Sequence, residues 1–232
     1  MAKIVAVANR KGGAGKSTLT INLAAALQGM GIPTAILDID AEQQAASRWR
    51  DAREAERPEV EAAVHTRLQR AIAQMEKNGA AMVLIDCPAL LESATSEAVK
   101  VADLVLTPCR TTVQDIQYLE DTRKIIEAHG KPSAVVFNAV KVQLNETDQA
   151  RAYMEKHGIA IAPAHMSEAV AYHRAITAGL GVTEREPSSK AAQEMTELAK
   201  WVASLMELSH LIDIQSSNTI GLDTSNTQAM SA

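Results

Sequence analysis

Aromatic side chains are scarce in this chain: one Phe, two Trp and three Tyr among 232 residues. Hydrophobic residues nevertheless make up 47% of it, so the core must be assembled from Ala, Val, Leu, Ile and Met. Cysteine is almost missing. Cys87 and Cys109 sit in apolar surroundings at strand ends, and a zinc site needs more ligands at closer spacing; two buried thiols in a reducing, cytosolic compartment are expected. No apolar run approaches the roughly 18 residues that cross a bilayer. The amino-terminal KIVAVAN is too short for a signal segment, and Arg10 and Lys11 follow it instead of preceding it. A soluble protein is expected. Positive charge is in deficit, with a formal net charge of −5. That argues against nonspecific nucleic-acid binding by the whole surface but leaves a local basic patch open.

What the chain does contain is alternation. KIVAVAN (3–9), TAILDID (34–40), AMVLIDCP (81–88), LVLTPC (104–109) and SAVVFNAV (133–140) are nearly continuous in apolar residues, the pattern of parallel strands covered on both faces. Helical periods lie between them. Leu19, Leu23, Ala26, Leu27 and Met30 recur at three- to four-residue spacing before Gly29 and Gly31 stop the helix. Ile116, Leu119 and Ile126 do the same over 113–129, ahead of Gly130 and Pro132. Pro187 and Ser188 open a last helix with the stripe Ala191, Met195, Leu198, Val202 and Leu205, and Trp201 beside that stripe is most simply core. The charge-rich stretch 47–79 reads as helix, a short strand near 60–64, then helix. The sum is a doubly wound, mostly parallel α/β sheet with helices on both faces, one P-loop domain over 1–210. Residues 211–232, rich in Ser, Thr, Asn and Gln without Lys or Arg, read as a disordered tail.

Gly12, Gly13, Ala14, Gly15, Lys16 and Ser17 follow a predicted strand and open a predicted helix, the context that makes a phosphate loop. Its backbone N–H groups can cradle phosphate oxygens at the positive end of a helix dipole. Lys16 would reach the β- and γ-phosphates of ATP, Ser17 would ligate Mg²⁺, and Thr18 is placed for the α-phosphate. VLIDCP (83–88) ends a strand in Asp86, as expected of the carboxylate that holds Mg²⁺. Asp38 and Asp40 end the second strand; with period two both point the same way. Asp40, further out, is the candidate to orient or deprotonate an attacking water. Asp38 reads either as a helix cap or metal support or as a direct participant. Lys11 has no task in a loop already complete with Lys16: it is either a solvated surface charge or a side chain aimed at a neighbour's nucleotide.

KGGAGKST (11–18) resembles the deviant Walker A motif of the ParA/MinD ATPases, DIDAEQ (38–43) resembles their acidic second motif, and LIDCP (84–88) their Walker B strand. The resemblance covers about 1–208 and is strongest to the small ParA proteins, which lack an amino-terminal DNA-binding extension. It implies a homodimer in which two subunits sandwich two ATP molecules, with Lys11 reaching the partner's phosphates and Gly12 at the interface. Asp40 then positions the water, and Asn138 contacts adenine unless it is a mere turn residue. Two departures stand out. Ala41 and Glu42 precede Gln43 where the family has DxDPQ, and Cys87 follows Asp86 where Thr or Gly is usual. Neither removes a charged catalytic group.

The resemblance also implies nonspecific DNA binding near the carboxyl-terminal helices, for which Arg174, Arg185, Lys190 and Lys200 are the candidates, each equally readable as a solvated charge. Ser167 and Glu168 stand where relatives often carry an arginine, and His173 lies beside Arg174. Membrane binding of the MinD type is not expected, since no basic residue follows Lys200. The paired cysteines of iron–sulfur carriers are absent. The implied function is an ATPase that partitions plasmid or chromosome DNA in the cytoplasm, associated with the nucleoid, with a ParB-like or cargo-adaptor partner. Carboxysomes or chemotaxis clusters are alternative cargoes. The rivals are a metabolic P-loop enzyme that phosphorylates or amidates a small molecule, and a module that holds ATP without turning it over.

Overall fold

The computed structural model describes residues 1–141 and 146–216. Six strands form one sheet: β1 (Lys3–Val7), β2 (Thr34–Asp38), β3 (Glu59–Ala62), β4 (Met82–Asp86), β5 (Leu104–Cys109) and β6 (Ser133–Phe137). Their order is β3-β2-β4-β1-β5-β6, and every pairing is parallel. All residues of β2, β4 and β5 are buried. The period-two alternation divides them between two cores. Val5, Val7, Ile36 and Leu84 enter one; Ala6, Ala35, Leu37, Val83 and Ile85 enter the other. Small and β-branched residues suit these strands because helices press on both faces.

The first core is closed by α1 (Lys16–Gly29), α7 (Val170–Thr177), α8 (Val182–Arg185) and α9 (Lys190–Leu205), the second by α3 (Leu68–Lys77) and α4 (Glu92–Val101). The expected start of the last helix moves by two residues: Ser189 is the N-cap, its hydroxyl accepting the Ala192 amide, and Pro187 and Ser188 precede it. Trp201 is partly buried against the first core. The charge-rich stretch resolves into α2 (Ala45–Asp51), β3 and α3. A smaller core under β6, with α5 (Val113–Ala128) and α6 (Glu146–Lys156), holds Cys109, Leu119, Met154 and the one phenylalanine, Phe137. The last described helix, α10 (Ser209–Ser216), occupies the start of the stretch read from sequence as tail; 217–232 lies outside the described residues.

Topology fixes where chemistry can happen. The chain crosses over β4 in passing from β1 to β2, and over β1 in passing from β4 to β5. The carboxyl ends of the strands around this reversal frame a crevice, the place where open α/β sheets bind ligands. Register aligns the functional ends there, with Val7 beside Asp86 and Asp86 beside Asp38. Among the described residues no helix is long and apolar enough to cross a membrane, and no three potential metal ligands cluster.

Candidate functional site

The loop between β1 and α1 is built by its glycines and clamped from the sheet. Gly13 and Gly15 have φ of 73° and 97°, left-handed values that disfavour any side chain. A Cβ on Gly15 would also lie 2.0 Å from Asn138 Nδ2. From below, Asn9 donates to the Pro108 carbonyl at 2.8 Å and accepts the Lys11 amide at 2.8 Å. The Arg10 amide donates to the buried Thr122 hydroxyl at 3.0 Å. The first turn of α1, with Ser17 and Thr18 half-buried, therefore opens on a rigid bend at the carboxyl edge of the sheet.

Lys16 is buried, and its ammonium donates to the Lys11 carbonyl at 3.3 Å. Burial lowers its pKa, opposed by the negative charges of Asp86 and Asp40. Asp86 is fully buried. Its Oδ2 has no hydrogen-bond partner, and Oδ1 accepts a long contact from the Thr20 hydroxyl at 3.5 Å. Burial pushes its pKa up to about 7; the Ser17 hydroxyl and Lys16 pull it down, while Asp38 and Asp40 push it higher. An orphaned carboxylate oxygen beside a serine and a lysine fits a divalent cation, which would complete its coordination and cancel its charge. Cys87, next in sequence, is buried with its thiol pKa far above ordinary, and burial raises Cys109 to about 12. Both are free and buried, as expected, and neither is poised as a thiolate.

The raised pKa of Asp86 carries a stability consequence. Between the unfolded value near 4 and the folded value near 7 the native state holds the extra proton, so stability falls as pH rises through this window. Asp86→Asn is expected to stabilise the nucleotide-free protein at pH 8 by about 1–3 kcal/mol and to make little difference at pH 4, while weakening Mg²⁺-dependent nucleotide binding. Denaturant melts at the two pH values in chelator check this; an Asn variant no more stable than wild type at pH 8 would refute the burial penalty.

The two carboxylates after β2 separate. Asp38 is buried and wholly committed to structure: Oδ2 accepts from the Ser47 amide (2.9 Å) and hydroxyl (3.0 Å), and Oδ1 from the Asp40 amide (3.2 Å). It thus caps the first turn of α2, whose own N-cap position holds Gln44 at φ 46° with no side-chain cap. Of the readings open for Asp38, capping is the one the contacts support. Asp40 is half-exposed, and its Oδ1 closes a turn by accepting the amides of Glu42 (3.3 Å) and Gln43 (3.0 Å). It borders a cleft of about 530 Å³ that is also lined by Gly12, Ile39, Val64, Pro88, Leu90 and Leu91. Among the described residues that line it there is no Lys or Arg.

Two predicted residues engage partners that sequence did not suggest. Asn138 Nδ2 donates to the Ala14 carbonyl at 2.7 Å, and its Oδ1 accepts the Ala139 amide at 2.8 Å, so its amide clasps the phosphate loop. Lys11 turns toward α5. Its ammonium donates to Asp115 Oδ1 at 2.7 Å and lies 5.7 Å from the Tyr118 ring centre. Asp115 was not singled out from sequence, although Thr112-Val-Gln-Asp115 is a recognisable helix-start pattern. The four basic candidates near the carboxyl terminus are all exposed. Arg185 lies 3.9 Å from Glu186 and Lys190 lies 3.9 Å from Glu194, so two of the four have acidic neighbours.

With this geometry in place, comparison with known proteins is informative. Residues 5–182 match the family described as the CobQ/CobB/MinD/ParA nucleotide binding domain. The chain is similar to "Maintenance of carboxysome distribution protein A" of Gloeobacter kilaueensis, at 29% identity over 185 residues, covering 78% of this chain and 84% of that protein. It is also similar to "Protein ParA" of Rhizobium radiobacter, at 30% identity over 185 residues, covering 73% and 80%. In fold it resembles the septum site-determining protein MinD complexed with Mg-ADP from Pyrococcus horikoshii OT3. That TM-score is 0.71 at 21% identity, with 88% of this chain and 97% of the other covered.

Proposed function

The chain belongs to the CobQ/CobB/MinD/ParA nucleotide-binding family, and on that premise we propose that it is a dimerising ATPase that positions cargo, with DNA partition as the leading role. Carboxysome distribution is the role named for one of its relatives, and the other is named ParA; plasmid or chromosome DNA is the cargo proposed here. Nucleotide binding rests on the loop from Gly12 to Thr18, with Lys16 on the phosphates. Mg²⁺ would be held by Ser17 and Asp86 and would supply charge neutralisation on the phosphate oxygens. Asp40 positions and deprotonates the attacking water, Asp38 holds the turn that carries Asp40, and Asn138 holds the loop against β6.

The observation that carries pairing is Gly12. A Cβ built there meets nothing within 4 Å, so no contact inside one protomer requires a glycine. Lys11 likewise adds nothing to a phosphate site that Lys16 completes. Both acquire a purpose if a second copy approaches this face: the glycine lets backbones close together, and the lysine supplies a cation in trans. Leu90, Leu91 and Val64, exposed around the neighbouring cleft, would be covered by the same approach. A metabolic enzyme acting on an anionic small molecule would want Lys or Arg in that cleft; among the described residues that line it His65 is the one basic side chain, beside the acidic Asp40 and Glu42.

DNA binding, through Arg174, Arg185, Lys190 and Lys200 together on each dimer, and stimulation of hydrolysis by a ParB-like partner complete the proposal. The test is oligomeric state with ATP, with ADP and without nucleotide, alongside ATPase rates with and without DNA at several salt concentrations. A dimer with ATP alone, binding DNA with an affinity that falls steeply with salt, is expected. A monomer in all three states whose turnover depends on a small metabolite would replace this reading with the metabolic one.

A further inference from the structure

Lys11 is not a free side chain awaiting a partner. Its side chain is 27% exposed and its ammonium donates to Asp115 Oδ1 at 2.7 Å, while the Asp115 side chain is only 4% exposed. The second carboxylate oxygen of Asp115 accepts the Thr112 hydroxyl, and the Asp115 amide donates back to Thr112 Oγ1 at 3.3 Å. Thr112 and Asp115 therefore form the reciprocal cap that starts α5. One oxygen serves the helix and the other serves Lys11. A cap alone would explain the first contact and not the second. The ring of Tyr118, one turn further along α5, has its centre 5.7 Å from the ammonium.

We propose that Asp115 is a positioning residue that latches Lys11 in cis: it holds the lysine against its own α5 in an unpaired protomer and must release it before the lysine can enter a partner's phosphate site. This rests on the pairing role given to Lys11 above. Release is unfavourable, because it strips a nearly buried carboxylate of its cation. The latch thus opposes pairing until the phosphates of a nucleotide held by a second protomer offer Lys11 more negative charge than Asp115 does. Unpaired protomers are kept from associating weakly, and dimers come apart readily once the γ-phosphate is gone.

The experiment measures the dimer dissociation constant in ATP by sedimentation, together with ATP affinity of the monomer, for wild type, Asp115→Asn, Asp115→Glu, Thr112→Val, Tyr118→Leu and Lys11→Ala. Asp115→Asn is expected to tighten pairing roughly tenfold without changing monomer affinity for ATP, and Asp115→Glu to return it toward wild type. Tyr118→Leu, at an exposed position that should not disturb folding, is expected to tighten it about two- to threefold. Thr112→Val removes the cap hydroxyl and keeps the latch charge; it should lower thermal stability while moving the dimer constant less than Asp115→Asn does. Should wild type pair and Lys11→Ala fail to, while Asp115→Asn and Tyr118→Leu pair no better than wild type, the latch is overturned and the pairing role stands. Should wild type itself stay monomeric in ATP, the pairing role falls and takes the latch with it.

Discussion

Replacing Lys11 with alanine is expected to abolish ATP-dependent pairing and to lower hydrolysis by about three orders of magnitude, the usual contribution of a cation supplied in trans to phosphoryl transfer. Monomers should still take up ATP. The expectation follows from a division of labour in the loop. The glycine bend, Lys16 and the first turn of α1 lie in one protomer and do not depend on the Lys11 side chain; only its carbonyl touches Lys16, at 3.3 Å, and alanine retains that carbonyl. The side chain contacts α5 instead. A loss of pairing in Lys11→Ala therefore cannot be traced to a collapsed phosphate site, provided nucleotide affinity is measured alongside. The substitution also strips Asp115 of its cation, so a modest fall in stability of about 1–2 kcal/mol should accompany it.

The second large effect belongs to Asp40. Asp40→Ala is expected to cut hydrolysis by about 10²–10³ and to leave ATP-bound dimers that persist. Alanine removes two things at once, the carboxylate and the acceptor for the Glu42 and Gln43 amides. Asp40→Asn separates them, because its amide oxygen can still close the turn while the charge is lost. Equal impairment by the two variants assigns the effect to the charge; an Asn variant that turns over at the wild-type rate would show that the turn, and not the carboxylate, matters. The neighbouring Asp38 offers a contrast. With both oxygens bonded to the Ser47 and Asp40 groups, its loss should unfold the start of α2 and cost stability first.

Much of this arrangement could be read along the chain. The five apolar runs are five of the six strands, each ending within a few residues of its expected limit, because strands covered on both faces need almost every side chain apolar. Positions 3–7 and 34–38 end before the predicted 9 and 40, since pairing stops where the chain turns outward to build the site. The phosphate loop was legible because its parts are consecutive. Elements without local periodicity were not. The residues that α4 buries include Ala94 and Ala98, which give a weak apolar signal, and α8 has four residues, too few for a helical stripe.

Contacts between distant segments were the other blind spot. Asn138 meets Ala14 across 124 positions, and Lys11 meets Asp115 across 104. Sequence alone left Lys11 as either a surface charge or a cation for a neighbour; it could not show the carboxylate that occupies it meanwhile. Such pairs become visible only when β1, β5 and β6 bring the phosphate loop, the start of α5 and the Asn138 turn to one edge of the sheet.

Sedimentation velocity of wild type and Lys11→Ala in ATP, at a protein concentration where wild type is monomeric without nucleotide, addresses the role of the second lysine most directly. A two-protomer species for wild type and one protomer for the variant, both with ATP bound, is the expected pair of results. A variant that pairs as wild type does would contradict the assignment of Lys11 to a partner's phosphates.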